Sequence, residues 1–112
     1  MNPQITIGIP AYNQAEYLED AIESAYNQTM PAHEIIIVND GSLDNTQEIA
    51  ERYMFKEFPG VESPVRVINQ VNKGLPSARN TLIMNMTGNY LLPLDADDML
   101  KENAIARINQ EI

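Results

Sequence analysis

Apolar residues fall into two patterns along the chain, short continuous runs and stretches with helical spacing. Continuous apolar runs are typical of strands buried on both faces, and they occur at residues 4–10, 34–39, 65–69 and 89–94. Apolar residues three or four positions apart predict helices at about 14–28, 45–55, 76–86 and 102–112. The remaining long segment, 56–64, holds two prolines and a glycine and is predicted to be a surface connection.

The order of the predicted elements, strand and helix alternating four times, indicates the fold class. This order favours a right-handed βαβ arrangement, with a parallel sheet between two layers of helices. We therefore predict a single α/β domain with a Rossmann-like sheet of about four strands. Two helix starts carry the spacing of a capping pair, Asn13 with Glu16 and Asp44 with Gln47.

Composition narrows the classes of function. The chain has 112 residues and no cysteine, so disulfides and thiolate metal sites are excluded and a reducing compartment is compatible. No signal peptide precedes the first strand and no apolar stretch approaches the ~20 residues of a membrane span. We therefore expect a cytoplasmic protein, and a position at the inner face of a membrane stays open for the full-length protein. Sixteen acidic against seven basic residues, a net charge of −9, disfavour binding to nucleic acid or anionic lipid.

The fourth apolar run stops at three acids, Asp95, Asp97 and Asp98. If the chain is extended there, Asp95 and Asp97 project to the same side. Such a pair suits Mg²⁺ or Mn²⁺, which prefer oxygen ligands. The acids of a solvated loop have the same pattern, so the pair alone leaves both interpretations open. Asp98 we assign to the cap of the helix that follows.

Polar or turn-forming residues follow every predicted strand, and the carboxyl ends of parallel strands share one edge of the sheet, here called the carboxyl-end rim. Tyr12 offers a face for stacking on a base, or else covers the core. Asp40 is suited to accept from a base N–H or from a helix N-terminus, or to form an Asx turn. Arg79, or Lys73 with Gly74, fits an anion near a helix start, although surface charge explains these basic residues equally well.

Other catalytic patterns are missing. His33, the only histidine, precedes the second strand at the opposite rim and is predicted to be a solvent-facing residue. No sequence resembles a nucleophile, base and orienter triad, and no glycine fingerprint for a dinucleotide follows the first strand.

Four motifs resemble, in order and spacing, those of the family 2 inverting glycosyltransferases, which have the GT-A fold. They are Ile9-Pro10-Ala11-Tyr12-Asn13, Val38-Asn39-Asp40-Gly41-Ser42, Asn72-Lys73-Gly74 with Ala78-Arg79-Asn80, and Leu94-Asp95-Ala96-Asp97-Asp98. The resemblance implies that the chain is the N-terminal, nucleotide-sugar-binding half of a larger GT-A domain. Two positions depart from the family pattern: Asn39 stands where an aspartate is frequent, and Leu82 where glycine is common.

The resemblance also implies ligands. The donor is a nucleotide-diphosphate sugar, usually a uridine diphosphate sugar, bound with Mn²⁺ or Mg²⁺, and the acceptor is a hydroxyl of a saccharide or lipid-linked molecule. The implied metal ligands are Asp97 and Asp95. Tyr12 and Asp40 match positions that hold the base, Arg79 one near the nucleotide, and Asp95 one near the ribose. The full set of implied donor-binding residues is Pro10, Tyr12, Asn13, Asp40, Lys73, Gly74, Arg79, Asp95 and Ala96.

The general base of the family comes from the later half of the domain, so we expect little or no sugar transfer by these 112 residues alone. If the full domain adds strands beside the fourth, that strand is an exposed edge here and favours self-association. Two other classes fit part of the pattern. One is a non-catalytic or degenerate nucleotide-binding domain with the same rim. The other is a receiver-like signalling domain, for which a fifth strand and a suitably placed late lysine are missing.

Overall fold

The computed structural model describes residues 3–55 and 65–111, and within them strands and helices alternate as predicted. The strands are β1 Ile5–Ala11, β2 Glu34–Asp40, β3 Val65–Gln70 and β4 Tyr90–Pro93. The helices are α1 Ala15–Tyr26, α2 Thr46–Arg52, α3 Leu75–Asn85 and α4 Ala104–Glu111, and a 3₁₀ turn, Tyr53–Phe55, follows α2. The predicted surface connection at 56–64 and the predicted helix end at Ile112 lie outside the described residues.

The four strands form one parallel sheet in the order β3-β2-β1-β4, which confirms the predicted α/β fold class. Ile7 pairs with Ile35 and Leu92, so the apolar runs of β1, β2 and β4 lie side by side. Every residue of β1 and β2 is buried, since these strands lie in the middle of the sheet. That is why their sequences are apolar without alternation.

Helices cover both faces of the sheet. Alternate residues of β2 point to opposite faces, and Ile35 and Ile37 belong to the larger apolar cluster, with Leu18 of α1 and Ile105 of α4. On the other face, a smaller cluster contains Ile36, Val38 and, from α3, Ala78 and Leu82. No helix within the described ranges is long and apolar enough to cross a membrane.

Leu82, the departure from the family's glycine, is accommodated by a glycine on β1. A Cβ atom at Gly8 would lie 2.9 Å from the Leu82 Cδ1 atom and 2.9 Å from Leu91 Cδ1. Leu82 itself is fully buried. The missing side chain at Gly8 thus gives α3 the space that its own leucine occupies.

The segment that follows β4 is fixed to the end of α1 by two buried polar side chains. The Gln28 amide donates to the Lys101 carbonyl at 2.8 Å and accepts from the Ile105 N–H at 3.0 Å. The Ser24 hydroxyl accepts from the Leu100 N–H at 3.0 Å. These bonds fix the C-terminal side of the acidic turn, residues 95–98. On the other side of this turn, the Leu94 N–H donates to the Gly8 carbonyl of β1 at 2.8 Å.

At the opposite rim, the buried carboxylate of Glu34 collects several donors. It accepts from the Thr6 hydroxyl at 2.7 Å, from the N–H and hydroxyl of Thr87, and from Arg66 Nη2 at 3.0 Å. Burial opposes ionisation, but these donors outweigh it and lower the pKa of Glu34 to about 2. His33 lies at this rim as predicted, although it is half-buried, with Nε2 3.1 Å from the Thr87 hydroxyl.

Candidate functional site

A cleft of about 530 Å³ opens at the carboxyl-end rim, between the ends of β1 and β2, the start of α3 and the acidic turn. Eight of the ten residues predicted for the site line this cleft. The predicted site residues that line the cleft are Pro10, Tyr12, Asp40, Gly74, Arg79, Asp95, Ala96 and Asp97. The chain thus brings together residues that are up to 87 positions apart in sequence, from Pro10 to Asp97.

Two predicted residues do not line this cleft. The amide oxygen of Asn13 accepts from the Leu43 N–H at 2.7 Å, away from the cleft. Lys73 is exposed, and its backbone N–H rather than its side chain contacts the site, through a bond to Asp40. Direct roles for Asn13 and Lys73 in ligand binding stay predictions.

Five lining residues were not singled out from the sequence, namely Ala11, Gln14, Asn72, Leu75 and Ala78. A helical signal for two of them was present. Leu75, Ala78 and Arg79 are spaced three and four positions apart, which places them on one face of α3. That spacing, counted from Arg79, is the signal that could have identified Leu75 and Ala78.

Asp40 is almost completely buried, at 3% exposure, and its carboxylate ties β2 to the start of α3. One oxygen accepts from the Gln70 amide and the Lys73 N–H, both at 2.9 Å, and the other from the Gly74 N–H at 3.0 Å. Burial raises the pKa of this carboxyl, but these donors lower it further, to below its ordinary value. From the sequence, Asp40 was suited to a base N–H, to a helix N-terminus or to an Asx turn. In the structure it accepts from the Lys73 and Gly74 N–H groups at the N-terminus of α3.

The two loops beside Asp40 are in close contact. Gly41 has a φ of +67°, and a Cβ there would lie 2.6 Å from the Asn72 backbone nitrogen. The Asn72 amide donates to the Asp40 carbonyl at 3.1 Å. Only glycine fits this contact at this φ value, and the contact brings Asn72 to the cleft wall.

The acidic segment forms a turn rather than an extended strand. Leu94 and Ala96 are buried while Asp95 and Asp97 are exposed, so the two acids do project to the same side. The Asp98 N–H then donates to the Asp95 carbonyl at 2.9 Å and closes a turn. As a result Asp95, Asp97 and Asp98 each offer one carboxylate oxygen within 4.8 Å of the others.

Asp98 does not cap a helix, and that prediction is wrong. Residues 99–101 are not helical, and α4 begins only at Ala104. No hydrogen bond or ion pair joins the three carboxylates to side chains within residues 3–55 and 65–111. They are three exposed acids held close together.

Both predicted capping pairs are also wrong as written. The N-cap residue of α1 is Gln14, and no side chain of its own segment bonds the helix start. Asp44 does accept from the Thr46 N–H at 3.0 Å. The Gln47 amide, however, donates to the Glu51 carboxylate at 3.0 Å and does not bond the backbone of Asp44, as a capping pair requires. Partial burial raises the pKa of Asp44, and hydrogen bonds from Thr46 and Ala15 lower it below its ordinary value.

Comparison with protein families gives a match over nearly the whole chain, because the model of "Glycosyl transferase family 2" aligns with residues 6–112. Glycosyltransferase GlyA of Streptococcus pneumoniae is 37% identical over 112 residues, which are all of this chain and 15% of GlyA. The chain therefore spans a small part of that relative.

Solved structures give the same result for the fold. S. aureus TarS 1-349 in complex with UDP-GlcNAc superposes with a TM-score of 0.82 at 26% identity, over 94% of this chain and 30% of TarS. The mannosyltransferase PcManGT from Pyrobaculum calidifontis, in complex with GDP-Man and Mn²⁺, superposes with a TM-score of 0.78 at 25% identity. This second match covers 88% of the chain and 29% of the mannosyltransferase.

Proposed function

The chain belongs to glycosyl transferase family 2, and from that membership we propose that its cleft binds a nucleotide-diphosphate sugar, in particular a uridine diphosphate sugar, together with a divalent cation. The observation that carries the proposal is the composition of the cleft. Within about 530 Å³ it combines an aromatic ring, a buried ionised acceptor, a guanidinium and an acidic turn. The aromatic ring and the buried acceptor suit a base, the guanidinium suits a diphosphate, and the acidic turn suits a cation.

For the base we propose Tyr12 and Asp40. Tyr12 is 44% exposed and lines the cleft, which suits stacking of its ring on a base. Asp40 is ionised at neutral pH, so it accepts hydrogen bonds and cannot donate them. A base that offers an imino N–H, as uracil does, is therefore preferred over one that offers only acceptors on that edge.

For the rest of the donor we propose the start of α3 and the acidic turn. Arg79 lies one turn into α3 and, as an exposed guanidinium, suits a phosphate. Gly74 is the N-cap of α3, at the positive end of the helix dipole, and Lys73 precedes it. Asp95, beside the buried Ala96, we assign to the ribose hydroxyls. Pro10, near the end of β1, lines the cleft and is proposed as a donor contact, and a contact by Asn13 stays a prediction.

For the cation we propose Asp97 with Asp95. The residues fit a divalent metal, because the turn holds three carboxylate oxygens within 4.8 Å of one another. In the part of the chain that the structure describes, no side chain donates a hydrogen bond to these oxygens. Mn²⁺ in the mannosyltransferase complex is consistent with this choice. A bound cation would stabilise negative charge on the diphosphate leaving group.

The reaction is the transfer of the sugar to an acceptor hydroxyl with inversion. The bond from the anomeric carbon to the diphosphate oxygen breaks, the acceptor oxygen forms the new bond from the opposite face, and a general base takes the hydroxyl proton. We place that base outside these 112 residues, since the chain spans about 30% of TarS. This half of the site binds and orients the donor.

The test is calorimetric titration of uridine diphosphate into the purified chain, with and without Mn²⁺, repeated on Asp97→Asn and Asp40→Asn. We expect binding that needs the metal and is lost in Asp97→Asn. Asp40→Asn should weaken the binding of uridine diphosphate more than that of cytidine diphosphate. The reason is that the asparagine amide can also donate a hydrogen bond to an acceptor on the base.

Asp20→Asn is the matched control, because it removes one charge from an exposed position of α1 and should leave binding unchanged. Circular dichroism of each variant establishes that it is folded. A folded wild-type chain that binds no uridine diphosphate with Mn²⁺ would contradict the proposal that this cleft holds the donor.

A further inference from the structure

We propose that Asp44 and Thr46, neither of which lines the cleft, are positioning residues that hold Tyr12 at the cleft wall by clasping the loop that follows it. The clasp consists of the hydrogen bonds between residues 13–15 and residues 42–46. Its consequence for nucleotide binding rests on the proposed function, while its existence as a constraint on the loop does not.

The loop after β1 adopts a conformation that needs outside support. Asn13 has a φ of +52°, the one positive φ at a non-glycine residue in the part of the chain that the structure describes. Asparagine visits this left-handed region more readily than most residues, but still at a cost. Its N–H donates to the Ser42 hydroxyl at 3.0 Å and its amide oxygen accepts from the Leu43 N–H at 2.7 Å.

The first amides of α1 are capped by the other loop. Gln14 N–H donates to the Thr46 hydroxyl at 3.0 Å, and Ala15 N–H donates to an Asp44 carboxylate oxygen at 3.2 Å. Initial N–H groups of a helix have no partner within the helix, and α1 has no side-chain cap of its own. Asp44 and Thr46 therefore supply from a distant segment what a local cap normally supplies.

The two capping side chains are themselves locked together. The Thr46 hydroxyl donates to the second Asp44 oxygen at 2.5 Å, and the Thr46 N–H donates to the same oxygen at 3.0 Å. Thr46 is fully buried. Because one carboxylate serves the starts of α1 and α2 together, the two helices and the loop between β1 and α1 are held as one unit.

Tyr12 lies between two fixed segments. Ala11 before it is the last residue of β1, and Asn13, Gln14 and Ala15 after it are each bonded to the clasp. The ring of Tyr12 is 44% exposed, so surrounding side chains enclose only about half of it. The backbone on both sides of Tyr12 therefore does most to decide where its ring lies.

The experiment is a double-mutant cycle on the chain, with uridine diphosphate and Mn²⁺ as the probe. Tyr12→Ala should weaken binding roughly 5-fold to 100-fold, the range for loss of one base–aromatic stack. Asp44→Asn and Thr46→Val are close in shape to the native residues. Thr46→Val removes the acceptor of the Gln14 N–H, and Asp44→Asn leaves one acceptor oxygen where the donors of Ala15 and Thr46 now use two. Each should weaken binding by a substantial part of the Tyr12→Ala effect, and by less than about twofold when Tyr12 is already alanine.

A readout without nucleotide accompanies the cycle. Amide hydrogen exchange at Gln14 and Ala15 should become faster in Asp44→Asn, and the Tyr12 ring resonances should shift, while the amides of β1 and β2 stay protected. Asp20→Asn, with the same change of charge on α1, should alter neither.

The outcomes separate the two proposals. If the wild-type chain binds no nucleotide, the proposed function fails, and exchange together with the ring resonances still decides whether the clasp holds Tyr12. If Asp44→Asn weakens binding equally with and without Tyr12, the residue acts through general stability and the positioning role is overturned. Unchanged exchange at Gln14 and Ala15 overturns it as well.

Discussion

Replacing Glu34 with glutamine should make the chain less stable at neutral pH and flatten its response to acid. The Glu34 carboxylate is buried at 3% exposure and accepts hydrogen bonds from Thr6, Thr87 and Arg66. Glutamine has the same shape, but its NH₂ group is a donor and would face the donors that now bond the carboxylate. Arg66 keeps access to water, with 43% of its side chain exposed, so it can be solvated in the variant.

The magnitude follows from the pKa of Glu34, which is lowered from 4.5 to about 2. At about 1.4 kcal/mol for each pH unit, the ionised form contributes about 3 kcal/mol to the free energy of unfolding. Because the pKa is depressed in the folded state, this contribution is complete above about pH 4.5 and is lost as the pH falls towards 2. A loss of this size is a large fraction of the ~5–15 kcal/mol that stabilises a domain.

The assay is urea denaturation, followed by far-ultraviolet circular dichroism, of wild type and Glu34→Gln from pH 7 to pH 2.5. Asp40 and Asp44 also have lowered pKa values, so both proteins should lose stability in acid. The difference between the two curves isolates Glu34, and it should shrink below about pH 4.5. A difference that stays constant down to pH 2.5 would refute the electrostatic argument, since it would arise from packing alone. Glu48→Gln, which removes an exposed ion pair to Arg52, should change little.

Three further outcomes follow from close contacts and from the sheet edge. Leu82→Ala should cost about 2–5 kcal/mol in urea denaturation. Adding Gly8→Ala should cost less in that variant than in wild type, because the clash with Leu82 is gone and only that with Leu91 remains. Gly41→Ala should lower the melting temperature, since its φ is +67° and its Cβ would lie 2.6 Å from the Asn72 nitrogen; an unchanged melting curve would contradict this. Within the described residues β4 pairs only with β1, so we expect concentration-dependent association in light scattering, and a monodisperse monomer at all concentrations would count against it.

The fold was predictable because its signals are local and repeated. Each strand segment is rich in apolar or β-branched residues and each helix has its apolar spacing, so the alternation of the two patterns indicated parallel pairing. The element ends were close but less exact: α1 stops at Tyr26 and not near Gln28, and α4 starts at Ala104 and not at Glu102. The Gln28 amide joins these two places, because it donates to the Lys101 carbonyl and accepts from the Ile105 N–H.

Helix caps were not predictable from local spacing, and the reason is physical. The rule for a capping pair assumes that donor and acceptor lie within four residues of each other. Here the cap of α1 comes from Asp44 and Thr46, about thirty positions later. Asn13, predicted as a cap of α1, has its amide oxygen bonded to the Leu43 N–H instead. Only the packing of two loops makes these partners neighbours.

The acids of the carboxyl-end rim show why residue type alone does not assign a role. Asp40 and Asp44 accept three or more hydrogen bonds each from the protein, which leaves them little capacity for a cation and explains their lowered pKa values. Asp95, Asp97 and Asp98 lie within 4.8 Å of one another and receive none from the described residues. Mutually repelling carboxylates are costly unless a cation or water compensates them, and among the described residues no basic side chain forms an ion pair with them. A cation is therefore expected at the turn and not at Asp40.

The same argument predicts that Asp97→Asn, measured without Mn²⁺, should raise the melting temperature slightly, because it relieves repulsion between the carboxylates. Mn²⁺ should then stabilise wild type more than the variant. A variant that Mn²⁺ stabilises as much as it does wild type would remove Asp97 from the metal site.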